Sequence, residues 1–375
     1  LFLEDLPLKR QMAWSFLRRL PAAPHVDPHM TAVILYTSGT TAAPKGVELT
    51  YNNLYRNCVD TIHSLKFDSP QKCLNILPPF HVFGLTANVL VPVALGASVY
   101  AIPRFTPAAV IRALEREEIT VILAIPSMYA ALLRSRSATR DTFRSVHLAI
   151  SGGEPLPDGV RKGFQERFGV TLREGYGMTE TSPIISACSM TSYREGSVGR
   201  PIRNVEVRIA GQDGDALPPD EDGEIFVRGP TVMKGYYGKP EETRKILSGD
   251  GWLATGDVGH LDADGFLTIT GRAKEMMIVG GENVFPREIE AVLETHDDVL
   301  QVAVIGVRDD LRGEVPVAFV VPRSGARVTE QVLRSHVKRF LAGFKIPRQI
   351  IIREDLPVSP TGKILKRCLN DLLPR

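Results

Sequence analysis

The chain has 375 residues, 43% of them hydrophobic, which is enough for two or three domains with sizeable cores. Its 45 basic and 43 acidic residues leave a net charge of +2, which argues against nucleic acid as the main partner. The four cysteines lie far apart without a C-x-x-C pair, so they argue against a disulfide framework or a zinc site and favour a reducing, cytoplasmic compartment.

Strand-like and helical segments alternate through the first half of the chain. The predicted strands are residues 33–36, 72–77, 98–102, 121–124 and 147–150. The predicted helices between them are residues 53–65, 107–117, 127–134 and 157–168. Strands alternating with helices of this length predict parallel βαβ units and an α/β fold.

The second half of the chain predicts two further regions. After about Gly196, short strands with turn signals predict a smaller, mainly antiparallel β region. Beyond Gly271-Arg272, helices at 286–296, 329–341 and after Lys363, with strands at 299–307, 315–321 and 349–352, predict α+β structure. We therefore predict an N-terminal domain over 1–272, with an α/β part (1–195) and a β-rich part (196–272), and a C-terminal α+β domain over 273–375.

Two segments bear on targeting. The first thirty residues have the pattern of neither a signal nor a transit peptide, and because the chain starts at Leu1 we expect its true N-terminus to be missing. The uncharged run 82–103 is long enough to span a bilayer, but glycine and proline interrupt it and favour a buried helix followed by a buried strand. We expect no transmembrane span, while peripheral membrane contact stays open.

The run Thr37-Ser38-Gly39-Thr40-Thr41-Ala42-Ala43-Pro44-Lys45 places four hydroxyls and a glycine directly after the first predicted strand. A loop of this kind at the end of a buried strand can wrap backbone N–H groups and hydroxyls around phosphate oxygens, while Lys45 adds positive charge. It lacks the Gly-x4-Gly-Lys-Ser/Thr spacing of the Walker loop. A polar surface turn is the alternative interpretation.

Two further clusters combine glycines with polar groups. Ser151-Gly152-Gly153-Glu154-Pro155 follows a predicted strand, and its adjacent glycines let the backbone approach a flat ligand closely. In Gly175-Tyr176-Gly177-Met178-Thr179-Glu180, the tyrosine can cover a purine ring and Thr179 can donate to a phosphate. The carboxylate of Glu180 can ligate Mg²⁺ whose shell phosphate oxygens complete.

Asp257 and Lys363 complete the set of candidates. Asp257 can accept hydrogen bonds from two ribose hydroxyls, and Lys363 ends the turn Ser359-Pro360-Thr361-Gly362-Lys363. Taken alone, Asp257 is better explained as a turn or cap residue, and Lys363 as a solvated charge. Their occurrence in order with the other clusters favours a nucleotide site.

The segments 37–47, 175–181, 255–257, 271–272 and 357–363 resemble, in this order, the motif series of the adenylate-forming superfamily. That family contains acyl- and aryl-CoA synthetases, nonribosomal peptide adenylation domains and luciferases. The resemblance runs from about Thr31 to the end of the chain. Family members carry a further α/β subdomain before the hydroxyl loop, so the resemblance implies that an N-terminal lobe is missing here.

The resemblance implies a site for ATP and AMP. Its residues would be Thr37, Ser38, Gly39, Thr40, Thr41, Lys45, Gly153, Glu154, Pro155, Tyr176, Gly177, Met178, Thr179, Asp257, Arg272 and Lys363. The catalytic residues would be Lys363, Thr179, Glu180 and His81, with Mg²⁺ held by Glu180 and Thr40. Lys363 would bridge the substrate carboxylate and the α-phosphate during adenylation.

The resemblance also implies a mobile C-terminal domain that turns about a hinge at Lys274. Gly280 and Gly281 would then line a tunnel for coenzyme A. The acyl pocket would be formed by His81, Val82, Phe83, Gly84 and Gly152. Ala42 and Tyr51 stand where the family usually has Gly and His, and neither change removes a phosphate-binding group.

These residues together predict an ATP- and Mg²⁺-dependent acid–thiol ligase. It would convert a hydrophobic carboxylic acid to acyl-AMP and transfer the acyl group to coenzyme A, and the wording of segments 78–86 and 175–183 resembles fatty acyl-CoA ligases most. One alternative is an adenylation enzyme that loads an acyl carrier protein. Another is a nucleotide-binding fragment that cannot catalyse without the N-terminal lobe.

Overall fold

The computed structural model describes residues 26–37, 44–67, 71–211, 213–358 and 364–373, which fold into four sheets with helices packed on them. The strands are β1 (Thr31–Thr37), β2 (Lys45–Thr50), β3 (Lys72–Asn75), β4 (Ser98–Ala101), β5 (Val121–Ala124), β6 (Leu148–Ser151), β7 (Leu172–Gly177), β8 (Ile184–Ala187), β9 (Arg200–Pro201), β10 (Glu206–Ala210), β11 (Gly223–Arg228), β12 (Gly235–Tyr236), β13 (Leu253–Leu261), β14 (Leu267–Arg272), β15 (Met277–Val279), β16 (Glu282–Val284), β17 (Val299–Asp309), β18 (Gly313–Pro322) and β19 (Gln349–Ile352).

The helices mostly begin and end close to the predicted positions, although the helix predicted over 329–341 ends at Val337 and the short helix Pro240–Arg244 was not predicted. They are α1 (Tyr51–Leu65), α2 (Val82–Leu85), α3 (Val91–Leu95), α4 (Pro107–Glu117), α5 (Pro126–Arg134), α6 (Asp158–Phe168), α7 (Pro240–Arg244), α8 (Pro286–Glu294) and α9 (Glu330–Val337). Local chemistry sets several of these ends. The side chain of Thr106 caps α4 with Pro107 in the first turn, and that of Thr329 caps α9.

The largest sheet has seven strands in the order β4-β3-β5-β6-β7-β8-β9, and it confirms the α/β class. The strands from β4 to β7 are parallel, whereas β8 and β9 join antiparallel. Helices α4, α5 and α6 pack on it around the fully buried rings of Tyr129 and Phe164. Because the carboxyl ends of parallel strands meet at one edge, the segments after β6 and β7 are neighbours.

The prediction that the run before the hydroxyl loop is a buried strand of the parallel units is wrong. That run, β1, is only partly buried, and it pairs antiparallel with β2 in a separate sheet of order β1-β2-β12. The physical reason is the strand β2 that follows. Its alternate residues Val47 and Leu49 are completely buried, and its backbone pairs with that of β1. The strand β2 itself was not predicted.

The uncharged run forms α2, a π-helical turn over Thr86–Leu90 and α3, which confirms the predicted helix. The strand that follows, β4, is exposed at all four residues and not buried as expected, because it lies at the edge of the seven-stranded sheet. Among the described residues, every helix is too short or too polar to cross a bilayer.

The regions after β9 contain two further sheets. Strands β10, β11, β13 and β14 form an antiparallel sheet, as predicted, although the short β12 pairs with β2 instead. Strands β16-β15-β18-β17, with β19 parallel to β18, enclose a core with α8 and α9. The expected last helix consists instead of two 3₁₀ turns with i→i+3 hydrogen bonds, Lys366–Cys368 and Asn370–Leu372. Leu369, between the two turns, is buried against the sheet. The domain boundary at 272 stays a prediction.

Candidate active site

Tyr176, Asp257 and Arg272 meet at the junction of two sheets. Tyr176 lies at the end of β7, and Asp257 of β13 pairs in register with Arg272 of β14. The hydroxyl of Tyr176 donates to Asp257 Oδ2 at 2.6 Å, and Arg272 Nε lies 2.8 Å from Oδ1. Burial, and then the charge of Asp257, raise the pKa of Tyr176, so its hydroxyl stays protonated and donates. These three predicted nucleotide residues therefore form one contact group.

The backbone before Asp257 is fixed by Thr255 and Gly256. The hydroxyl of Thr255 donates to the carbonyl of Ile225 at 2.8 Å and accepts the N–H of Asp257 at 3.1 Å. Gly256 has φ +71°, a conformation that favours glycine. The Thr-Gly-Asp sequence thus sets the direction of a carboxylate that is only 5% exposed.

Glu180 lies in the 3₁₀ turn Thr179–Thr181 and is 7% exposed. Its Oε1 accepts a 2.8 Å hydrogen bond from the hydroxyl of Tyr236, and its backbone carbonyl accepts the N–H of Met233 at 2.8 Å. Burial, and then the charge of Glu180, raise the pKa of Tyr236, which keeps this hydroxyl a donor. The sequence analysis did not identify Tyr236.

Lys45 starts β2 and faces the same tyrosine. Its Nζ lies 4.7 Å from the ring centroid of Tyr236 and 2.9 Å from Glu242 Oε2 in α7. The ammonium groups of Lys245 and then Lys45 hold the pKa of Glu242 at about 2. The hydroxyl of Thr37 donates to the carbonyl of Lys45 at 3.5 Å. Four predicted loop residues lie outside the described residues: Ser38, Gly39, Thr40 and Thr41.

The turn after β6 lies beside Tyr176, because β6 and β7 are adjacent parallel strands. Its predicted members are Gly153, with φ +85°, Glu154 and Pro155. A Cβ on Gly177, the residue after Tyr176, would lie 2.1 Å from the carbonyl oxygen of Pro183. The backbone N–H of Met178 donates to that same oxygen at 3.2 Å.

The predicted acyl-pocket residues also come together. A Cβ on Gly152 would lie 3.2 Å from the ring of Phe83, and one on Gly84 would lie 2.1 Å from a backbone oxygen of the preceding turn. Val82 is buried, whereas His81 is exposed and its Nδ1 caps α2 by accepting the N–H of Phe83 at 3.3 Å. This cap is one contact of His81, and the role of His81 at an acyl site stays a prediction.

Lys274 lies in the 3₁₀ turn that follows Arg272. Burial, and then the charge of Arg272, lower the pKa of Lys274, while the carboxylates of Glu275, Asp257 and Glu180 oppose the shift. The predicted hinge lysine thus lies within electrostatic reach of the candidate site. Gly280 and Gly281, with φ +63° and +92°, form the two-residue turn between β15 and β16, where added Cβ atoms would meet open space.

Lys363 lies outside the described residues. The residues on either side of that segment, Val358 and Ile364, form an antiparallel bridge. Further on, Lys366 Nζ lies 2.8 Å from both Glu275 and Glu290. Burial lowers the pKa of Lys366, but the charges of Glu290 and Glu275 outweigh it and raise the pKa overall. This ion triad attaches the C-terminal segment beside the strand that ends at Arg272.

Glu180 fits a magnesium site of the type that substrate phosphates complete. The described residues contain no group of three or more His, Cys, Asp or Glu side chains that could hold a metal by themselves. Mg²⁺ at phosphate sites is commonly held by one or two carboxylates, with phosphates and water completing the octahedron. A single buried carboxylate, held in place by Tyr236, meets that requirement.

Comparison with known proteins gives consistent results. Residues 3–237 match the family model described as AMP-binding enzyme, and residues 288–363 match its C-terminal domain. The chain is 39% identical over 352 residues to the long-chain-fatty-acid–CoA ligase of Bacillus subtilis, covering 92% of this chain and 62% of that relative. It is also 39% identical to a feruloyl-CoA synthase of Amycolatopsis, with 89% and 68% covered.

Solved structures share the fold. The crystal structure of ATP-bound MatB from Rhodopseudomonas palustris superposes with a TM-score of 0.89 at 34% sequence identity, covering 94% of this chain and 70% of MatB. The present chain thus spans somewhat less than two thirds of the Bacillus ligase and about two thirds of the other two proteins.

Proposed function

Because the chain belongs to the AMP-binding enzyme family, we propose that it activates a carboxylic acid with ATP and passes the acyl group to coenzyme A. In the first half-reaction, a carboxylate oxygen attacks the α-phosphorus of ATP, giving acyl-AMP and releasing pyrophosphate. In the second, the thiol of coenzyme A attacks the acyl carbon and AMP leaves. The contact group of Tyr176, Asp257 and Arg272 is the observation that supports this proposal most directly.

The nucleotide would be held from its base to its phosphates. Asp257, oriented by its two partners, would accept hydrogen bonds from the ribose hydroxyls, and the ring of Tyr176 would cover the adenine. The turn Gly153-Glu154-Pro155 would form the opposite wall. Thr179 would donate to the α-phosphate, while Lys45 would neutralise the outgoing phosphates. Glu180 would hold Mg²⁺, which supplies further charge neutralisation at the phosphate oxygens when bound.

Adenylation brings two anions together, so positive charge arranged at the forming bond is the main catalytic requirement. Lys363 would meet it by contacting the substrate carboxylate and the α-phosphate together. The second half-reaction would use another orientation of the domain 273–375, with Lys274 as the hinge and Gly280 and Gly281 along the path of the thiol arm. Open space around both glycines supports that use of the turn.

We propose that the acid is hydrophobic and that a fatty acid is the best candidate. The predicted pocket residues are apolar or small: Val82, Phe83, Gly84 and Gly152. Gly152 lies against the ring of Phe83, and Val82 is buried. A relative from Cupriavidus necator that is 38% identical is named for sulfoacetate, a small charged acid, so the support for a hydrophobic acid comes from the pocket residues. The Bacillus relative is named for long-chain fatty acids and the Amycolatopsis relative for feruloyl-CoA. Both relatives are also named for coenzyme A.

Hydroxylamine trapping of acyl-adenylates across a panel of carboxylic acids tests the proposal. Fatty acids of some chain length should give hydroxamate that depends on ATP, and shorter polar acids should give much less. With the best acid, competition between coenzyme A and holo-carrier protein identifies the acceptor. Binding of ATP without hydroxamate from any acid would contradict catalysis and favour the nucleotide-binding fragment.

A further inference from the structure

Tyr236 connects two predicted site residues that lie on different parts of the chain. Its hydroxyl contacts Glu180, 56 positions away, and its ring faces Lys45. The side chain is 8% exposed and belongs to the core cluster that contains Val47. One rigid aromatic side chain therefore touches both the candidate metal carboxylate and the candidate phosphate lysine.

The backbone of Tyr236 is held from two sides. β12 pairs with β2, which places Tyr236 opposite Val47, two residues from Lys45. The backbone N–H of Tyr236 donates to the hydroxyl of Thr243 in α7 at 2.9 Å. Strand register thus places the backbone of Tyr236 close to that of Lys45.

The two contacts of Tyr236 have different chemistry. The hydroxyl donates to Glu180 Oε1, and a hydrogen bond to a charged acceptor in a buried site has a strong directional preference. Because the backbone of Glu180 is also held by Met233, this hydrogen bond fixes the remaining freedom of the carboxylate. The ring face attracts the ammonium of Lys45 by a cation–π interaction.

We propose that Tyr236 is a positioning residue of the phosphate site, which orients the Glu180 carboxylate with its hydroxyl and holds the Lys45 ammonium with its ring. This inference rests on the proposed function, because it assigns Glu180 to the metal side and Lys45 to the phosphate side of bound ATP. Tyr236 itself need not touch the nucleotide. If the tyrosine only filled the core, removing its hydroxyl would alter stability and leave the dependence of ATP binding on metal unchanged.

Calorimetric ATP binding, measured once with Mg²⁺ and once with EDTA, separates the two contacts. Tyr236→Phe keeps the ring and removes the hydroxyl, so the affinity gained from Mg²⁺ should fall about tenfold while binding in EDTA stays unchanged. Tyr236→Leu also removes the ring, so binding in EDTA should weaken about threefold in addition. Tyr237→Phe is the matched control, because the adjacent ring is 58% exposed, and it should bind as the parent does.

A double-mutant cycle makes the result independent of folding losses. In a Glu180→Gln background, Tyr236→Phe should cause no further loss of the Mg²⁺-dependent gain, since the oriented carboxylate is already absent. Should Tyr236→Leu fail to fold, Tyr236→Phe and the cycle decide the inference alone. A folded Tyr236→Phe variant with the full Mg²⁺-dependent gain would overturn the inference and leave the proposed function standing. A parent chain that does not bind ATP would overturn the proposed function itself.

Discussion

The hydroxyl of Tyr176 lies 2.6 Å from Asp257 Oδ2, although the two residues are 81 positions apart in the chain. This hydrogen bond joins the end of a parallel strand to an antiparallel hairpin. It holds the ring of Tyr176 and the buried carboxylate of Asp257 in a fixed relative position. In the proposed function, the ring covers the base and the carboxylate accepts hydrogen bonds from the ribose of the same nucleotide.

Asp257→Asn should weaken ATP binding by about tenfold or more. The amide keeps the size of the side chain but loses one acceptor oxygen and the charge that pairs with Arg272. Calorimetry measures the loss. Asp222→Asn is the control, since that carboxylate is exposed and pairs with His260, three residues after Asp257 on the same strand. If the Asp257→Asn variant folds and binds ATP as tightly as the parent, Asp257 does not bind the ribose.

Glu242→Gln should strengthen ATP binding by up to about fivefold. Glu242 lies 2.9 Å from Lys45, so the phosphates must compete with it for the ammonium group, and partly exposed ion pairs of this kind are weak. The glutamine keeps the size of the side chain without the competing charge. Glu241→Gln, which removes an exposed partner of Arg244, should change nothing. Weaker ATP binding by Glu242→Gln would show that Glu242 holds Lys45 in place for the ligand.

Glu174, on β7, has a perturbed acidity that stability measurements can detect. Burial raises its pKa from 4.5 to about 7, although the N–H of Leu156 and the charges of Arg161 and Arg287 oppose the shift and Asp158 adds to it. Between those two values, the folded protein binds more protons than the unfolded chain. The stability contributed by the protonated carboxyl is therefore complete below about pH 4.5 and lost as the pH rises through 7.

Glu174→Gln should consequently raise the free energy of unfolding above that of the parent at pH 8. This gain should exceed the gain at pH 5 by on the order of 2–3 kcal/mol. Denaturant unfolding at the two pH values measures the difference. Glu166→Gln, at an exposed position of α6, should show no such pH dependence. The same free-energy change for Glu174→Gln at both pH values would contradict the raised pKa of Glu174.

Gly177→Ala should destabilise the fold by at least about 2 kcal/mol, because its Cβ would lie 2.1 Å from the backbone oxygen of Pro183. Gly159→Ala is the matched control. That glycine lies in α6, and an added Cβ would meet no atom within 4 Å outside its own stretch of helix, so alanine should be neutral or stabilising there. Thermal unfolding of both variants tests the contrast, and equal midpoints would contradict the close approach.

Periodicity predicted most of the parallel sheet, because each strand there is an apolar run followed by a helix of about three turns. It failed at β1, whose apolar run looks the same but pairs with β2 across the hydroxyl loop. The residue pattern within one strand does not indicate which other strand it will pair with. The edge position of β4 escaped prediction for the same reason, since exposure at an edge depends on neighbours and not on composition.

Ordered motifs predicted the residues that the structure brings together around Asp257. Tyr236 and Glu242 were missed, because their contacts to Glu180 and Lys45 span 56 and 197 positions and carry no local spacing. The only local signal in that region is Pro240-Glu241-Glu242-Thr243, which reads as the start of a helix. Tertiary geometry was needed to find both.

Lys363→Ala should slow adenylation by about two orders of magnitude, the scale of losing one arranged electrostatic group. Thioester formation from supplied acyl-AMP should be largely spared, since the second half-reaction no longer joins a carboxylate to a phosphate. Lys338→Ala, at an exposed position of the same C-terminal region, is the control. Equal losses in both half-reactions would contradict the use of two faces of the C-terminal region.

Acid-dependent exchange of pyrophosphate into ATP tests the central claim most directly, because it reports formation of acyl-AMP at the site that binds the nucleotide. We predict that the chain catalyses exchange with at least one hydrophobic carboxylic acid, and that Asp257→Asn and Lys363→Ala suppress it while Lys338→Ala does not. Tight ATP binding without exchange on any acid would contradict the account.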